Sequence, residues 1–130
     1  MKISELYHRD VLTAYADETV AAVARRMEQE AVGSLAVFEE GRLVGIVTER
    51  DLVRAAADGA DPLTTRVAAY MTHGVAIADA AEEASRVARR MINHGVRHLP
   101  VCQGDKVVGM ISMRDLVALE AWLPGEPTQA

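Results

Sequence analysis

Gly45-Ile46-Val47-Thr48-Glu49-Arg50-Asp51-Leu52-Val53 returns 64 residues later, without a gap, as Gly109-Met110-Ile111-Ser112-Met113-Arg114-Asp115-Leu116-Val117. Each copy runs from a glycine through two apolar residues to a hydroxyl residue. Arg-Asp-Leu-Val then follows one residue later. Apolar residues ending on Thr or Ser, followed by a polar-led helical pattern, mark a strand that passes into a helix. The match extends outward from this stretch. Ala24-Arg25-Arg26-Met27 recurs as Ala88-Arg89-Arg90-Met91, and Val32, Leu35 and Val37 recur as Val96, Leu99 and Val101. Between Val11–Val53 and Val75–Val117, 18 of 43 aligned positions are identical. Two periods of 64 fill nearly all of the 130 residues, so the chain is an internal duplication.

Each repeat reads as β-α-β-β-α. An apolar lead-in precedes a helix, with Asp17 or Asp79 as candidate N-cap and Asp79 with Glu82 as a capping box. Val20, Val23, Ala24, Met27 and Ala31 fall at helical spacing, as do Ala84, Val87, Ala88 and Met91, while Arg25, Arg26 and Glu28 point away. Two strands follow, Ser34–Phe38 and Leu43–Thr48, joined through Glu39-Glu40-Gly41-Arg42. Leu99–Cys102 and Val107–Ser112 are their counterparts, joined around Gly104-Asp105. Helices from about Glu49 to Ala57 and from about Met113 to Trp122 close the repeats. Gly59-Ala60-Asp61-Pro62 breaks the chain, and Thr65 is placed to cap a short helix over Thr65–Tyr70. The expected fold is α+β, two such repeats related by a pseudo-two-fold axis and packed sheet to sheet, because one unit alone leaves a sheet face open. The division expected is residues 1–64, residues 65–124 and a flexible tail at 125–130.

Composition narrows the function. Half the residues are apolar but only 4% aromatic, so the core is aliphatic. A net charge of −5 disfavours nucleic acid and anionic membrane as partners. Lone Cys102 forms no intrachain disulfide and reads as a small buried hydrophobe. With no apolar run long enough to span a bilayer, and an N-terminus unlike a signal peptide, a cytoplasmic protein is expected.

The repeated stretch carries chemistry of its own. A hydroxyl just before a helix lies beside free backbone N–H groups and the positive end of the helix dipole, a place suited to phosphate. An Asp in the first turn can accept from both hydroxyls of a ribose, and the intervening Arg can pair with phosphate. The alternative is structural: Thr48 and Ser112 cap their helices, and Asp51 and Asp115 complement the dipole.

Together with Arg97-His98-Leu99-Pro100-Val101 and Tyr70-Met71-Thr72, the duplicated motif closely resembles the CBS domain family, named after cystathionine β-synthase. Its members occur as tandem pairs called Bateman modules. The resemblance covers residues 2–122. The first repeat departs from the pattern, with Tyr7-His8 for Met71-Thr72 and Gly33-Ser34-Leu35-Ala36 for Arg97-His98-Leu99-Pro100. The resemblance implies a regulatory, non-catalytic module that binds AMP, ADP, ATP or S-adenosylmethionine in clefts between the repeats, with no cofactor required. It implies a homodimer, and an output through an unidentified effector protein. Carried over, Thr48, Arg50 and Asp51 share the stronger cleft with Thr72, Ala76, Ile77, Val96, Arg97 and His98. Ser112, Arg114 and Asp115 share the weaker one with His8, Leu12, Thr13, Val32, Gly33 and Ser34. The rival expectation is a protein-interaction scaffold with degenerate clefts.

Other features read more plainly. His94 and His98 are four apart, but Gly95 breaks the helix a metal pair would need, so no metal site is expected. Arg25-Arg26 and Arg89-Arg90 read as solvated helix faces. Leu116, Leu119 and Trp122 form a candidate apolar stripe for a subunit interface.

Overall fold

Alternating apolar residues bounded by turn formers make hairpins here, and both repeats use the same one. The computed structural model describes residues 2–7, 12–74 and 76–122. In the first repeat β1 (Thr13–Tyr15), α1 (Val20–Glu30), β2 (Ser34–Glu39), β3 (Arg42–Thr48) and α2 (Glu49–Ala57) follow in order, then β4 (Thr72–His73). In the second, β5 (Ala78–Asp79), α3 (Ala84–His94), β6 (His98–Gln103), β7 (Lys106–Ser112) and α4 (Met113–Trp122) repeat the series. The fold is α+β, with sheets ordered β1-β2-β3-β4 and β5-β6-β7 among the described residues. The lead-in strands run parallel to the first hairpin strands, and the hairpins are antiparallel. No helix among the described residues is long and apolar enough to cross a membrane.

The hairpin strands each extend slightly beyond the sequence expectation, closing two-residue turns. Glu40 and Gly41 both have positive φ, 51° and 78°, which matches the right-handed strand twist. The backbone shifts register at the same point in both copies, between Val37 and Phe38 and between Val101 and Cys102. β4 was not anticipated. It pairs with β3 through Gly45 and Ile46, and a Cβ on Gly45 would lie 2.5 Å from the Thr72 carbonyl oxygen. Glycine at the head of the motif is what lets that strand approach.

Two aliphatic cores form. One joins Ala14, Val23, Met27, Leu35, Val37, Val47, Val67 and Met71. The other joins Ile3, Ala78, Val87, Met91, Leu99, Val101, Ile111 and Leu116. The packing units are Val11–Val75 and Met1–Asp10 with Ala76–Ala130. They are therefore not cut where the sequence repeats: the 3-10 turn Ile3–Glu5 serves the core of the second repeat, and the turn Val67–Ala69 serves that of the first. Matching bridges hold them, Lys2 to Glu83 and Arg66 to Thr19.

Several local expectations change. Thr19, not Asp17, caps α1, its hydroxyl accepting from Ala22 N at 3.1 Å. Asp79 does not cap α3, because it still belongs to β5 and pairs with Cys102. Its N–H does donate to Glu82 Oε1 at 2.9 Å, but the pair closes the turn before the helix. Ala31 lies outside the helix face, in left-handed backbone at the α1 terminus. The short helix at Thr65–Tyr70 shrinks to Val67–Ala69 and has no side-chain cap, since Thr65 is drawn to α1, its carbonyl accepting from Val20 N. Leu116 is buried in the core, so it does not join an exposed stripe. The side chains of Leu119 and Trp122, His8 and the 125–130 tail lie outside the described residues.

The largest correction concerns Arg26 and Arg90. Neither is a solvated surface charge. Arg90 Nη1 donates to the Ile77 carbonyl at 2.8 Å and to Glu82 Oε1 at 2.7 Å, while Nη2 reaches Glu82 Oε2. Arg26 repeats this fork on Glu18 and the Thr13 carbonyl. Each fork ties the lead-in strand and the turn after it to the first helix of its repeat. The Arg90 guanidinium, helped by the Asp79 N–H and opposed by burial, holds the Glu82 carboxyl at about 2 against an ordinary 4.5. Glu18 is lowered for the same reason, Arg26 being its principal partner.

Candidate functional site

The repeated motif sits where the last strand of each repeat meets its last helix. Thr48 ends β3 in extended backbone and caps α2. Its hydroxyl accepts from Asp51 N at 3.4 Å, and Asp51 Oδ2 accepts from Thr48 N at 2.9 Å. The hydroxyl also donates to that same oxygen at 3.2 Å. At the second corner Ser112 N donates to Asp115 Oδ2 at 2.8 Å, and Asp115 N donates to Ser112 Oγ at 3.1 Å. The capping role open in the sequence is thus realised at both corners. The cap uses Oδ2 of each Asp. Asp51 is 3% exposed, a buried carboxylate whose Oδ1 lies 3.6 Å from the Arg54 guanidinium.

Strand direction decides which segments of the same sheet lie beside each corner. β1 and β2 run parallel and β3 runs back against them, so the starts of β1 and β2 meet the end of β3 at one end of the sheet. Ser34 pairs with Thr48, and Glu49 N donates to the Gly33 carbonyl at 3.1 Å. Gly33 has no room for more, since a Cβ there would lie 2.6 Å from Glu49 Oε1. Leu12 and Val32 pack against the core from the same end, and Thr13 is exposed on β1. Arg50 and Thr72 are exposed in the same unit.

The second corner is built alike. His98 pairs with Ser112, and Met113 N donates to the Arg97 carbonyl at 2.8 Å. Ala76 and Val96 pack against this unit's core, Ile77 is 44% exposed, and Arg97 and Arg114 are exposed. The candidate residues divide between the two packing units. Arg97, His98, Ala76, Ile77 and Val96, expected opposite Thr48, share a packing unit with Ser112, Arg114 and Asp115. Leu12, Thr13, Val32, Gly33 and Ser34, expected opposite Ser112, share one with Thr48, Arg50, Asp51 and Thr72. Within each unit, parallel pairing of the lead-in brings its start to the sheet end that carries the corner.

His94 ends α3 and His98 opens β6, so the helical spacing that a metal pair would need is not formed. Cys102 is buried in the sheet, and burial pushes its thiol up, away from nucleophile chemistry.

Two α+β units built on one duplicated strand-to-helix corner define a tandem-repeat module. The CBS domain model matches this chain twice, over residues 3–58 and 67–121, and the chain belongs to that family. An uncharacterized 17.7 kDa protein of Acidianus ambivalens is 35% identical over 117 residues, 88% of this chain. This chain spans 70% of that protein's length, and 64% and 42% of the lengths of two other archaeal relatives. Among solved structures, the CBS-domain protein ATU1752 of Agrobacterium tumefaciens superposes with a TM-score of 0.83 at 29% identity, covering 92% of this chain and 98% of its own. The CBS domain pair of protein MJ0100, solved with 5′-methylthioadenosine and S-adenosyl-L-methionine, shares the fold at TM-score 0.84 and 24% identity, covering 93% of this chain and 96% of that one.

Proposed function

We propose that this protein is a regulatory module that binds an adenine nucleotide or S-adenosylmethionine at its strand-to-helix corners. One observation carries the reading. The start of β6, the residues leading into β5 and the end of β7 converge in one unit, which brings Ser112 and Asp115 to the same sheet end as Arg97 and His98. The Asp115 carboxylate caps α4 and is the acceptor offered to ribose hydroxyls. Arg97 and Arg114 meet phosphate, and Ala76, Ile77 and Val96 flank the base. The MJ0100 pair, of the same fold, was solved with two adenosine compounds.

The Thr48 corner has the same cap but Gly33 and Ser34 where the other has Arg97 and His98. The Ser112 corner is accordingly the stronger, the reverse of the ranking drawn from sequence. Exposed Val53 and Val117, at equivalent places on α2 and α4, support self-association into a homodimer with output to an effector protein.

Thermal unfolding with AMP, ADP, ATP and S-adenosylmethionine tests the reading. A ligand at 100 times its Kd stabilises the fold by about 2.7 kcal/mol. Asp115→Asn keeps an acceptor for the cap and removes the second carboxylate oxygen, so it weakens binding more than Asp51→Asn does. If none of the four compounds shifts the transition, the scaffold reading replaces this one.

A further inference from the structure

The polar face of α3 is cationic, and nothing in either corner uses it. No acidic residue falls within Ala84–His94. Arg86, Arg89, Arg90, Asn93 and His94 line an open depression of about 330 Å³ along this one helix. Arg90 is committed to Glu82, whereas Arg86 and Arg89 are exposed and have no ion-pair partner among the described residues. The duplication supplies an internal control. At the matching places α1 carries Ala22, Glu28 and Glu30 where α3 carries Arg86, Ile92 and His94. The second copy has lost two carboxylates and gained a guanidinium, and Ile92 beside Arg89 is 70% exposed. Ile92 thus adds one exposed apolar contact beside the exposed arginines.

We infer that this α3 face docks an acidic segment of a partner protein, its carboxylates on Arg86 and Arg89 and an apolar side chain on Ile92. A single helix offers donors on one side only and cannot enclose a small molecule, which favours an extended occupant. A long nucleic acid would meet the field of the whole chain, net −5, and offers Ile92 nothing. The few charges of a short segment act within roughly 8 Å, the screening distance at physiological salt, where the arginines dominate.

Fluorescence anisotropy of the full chain tests this with a labelled peptide of glutamates bearing leucine at every fourth place. The inference expects saturable binding at low salt that weakens as salt is added. Arg86→Gln/Arg89→Gln should weaken it about tenfold, Ile92→Ala should weaken it too, and the unfolding midpoint should hold steady. Arg25→Gln on α1 should leave binding unchanged. Absence of peptide binding, or equal binding by the double variant, overturns the inference. Tighter binding of oligothymidylate overturns it in favour of nucleic acid. Self-association lost in the double variant, without peptide binding, overturns it in favour of a second copy of the chain. Corner-site variants such as Asp115→Asn should bind the peptide normally, so this test and that of the nucleotide reading fail independently.

Discussion

Ala31 and Gly95 stand at the same place in the two repeats, each ending a helix in left-handed backbone, at φ 55° and φ 65°. The N–H of each turns back onto the last helical carbonyls. An alanine pays roughly 1 kcal/mol for that conformation, and glycine does not. Ala31→Gly should therefore raise stability by about 0.5–1 kcal/mol, and Gly95→Ala should lower it by a similar amount. Urea unfolding of both variants measures this, and an Ala31→Gly midpoint at or below the parent's would show that the φ value carries no strain. At this scale the sequence was legible wherever a residue acts on near neighbours. Thr48 with Asp51 and Ser112 with Asp115 are spaced for a cap and form one. The forks of Arg26 and Arg90 lie beyond that reach, because their partners, Glu18 and Glu82, stand eight residues back across a turn, outside helical periodicity.

Among the elements, those forks hold the lead-in strands, which are too short to stand alone: β5 has two residues. The Glu82 carboxyl is held at about 2 when folded, below its ordinary 4.5. The folded state thus binds fewer protons than the unfolded chain between these values. The stability this gives is present above about pH 4.5 and is lost as pH falls toward 2. Glu18 adds to the loss in the same direction. Unfolding midpoints between pH 6 and 3 should fall in the parent and fall less in Glu82→Gln, which starts lower; parallel slopes would remove the fork from the acid response. Hairpins and final helices were placed closely from pattern alone, because strand period and turn chemistry are local. β4 has two residues and no periodicity, so Gly45 is its one local signal of a close neighbour.

For the whole molecule, the exchange of lead-in turns matters most. Ile3 is wholly buried with α3, β6 and β7 residues, and Val67, its equivalent 64 residues on, is wholly buried in the first-repeat core. Ile3→Ala should cost about 2–5 kcal/mol. Its effect on amide exchange should be largest in residues 98–112, and that of Val67→Ala largest in residues 34–48. The opposite pattern would assign each turn to its own sequence repeat.

By itself the sequence determined that the chain is a duplication, that each half is β-α-β-β-α, that the core is aliphatic, and that a hydroxyl and an aspartate stand at the start of each closing helix. All of these rest on periodicity or on contacts a few residues long. Only the tertiary structure decided that each lead-in strand runs parallel to the first hairpin strand of its unit, which core each lead-in turn completes, and that Arg26 and Arg90 are bound while Arg86 and Arg89 are left outward. Those are set by parallel pairing and packing between segments far apart in the chain. A repeat cannot reveal them by its pattern alone, because a segment and its copy share the same periodicity while long-range pairing decides where each one packs.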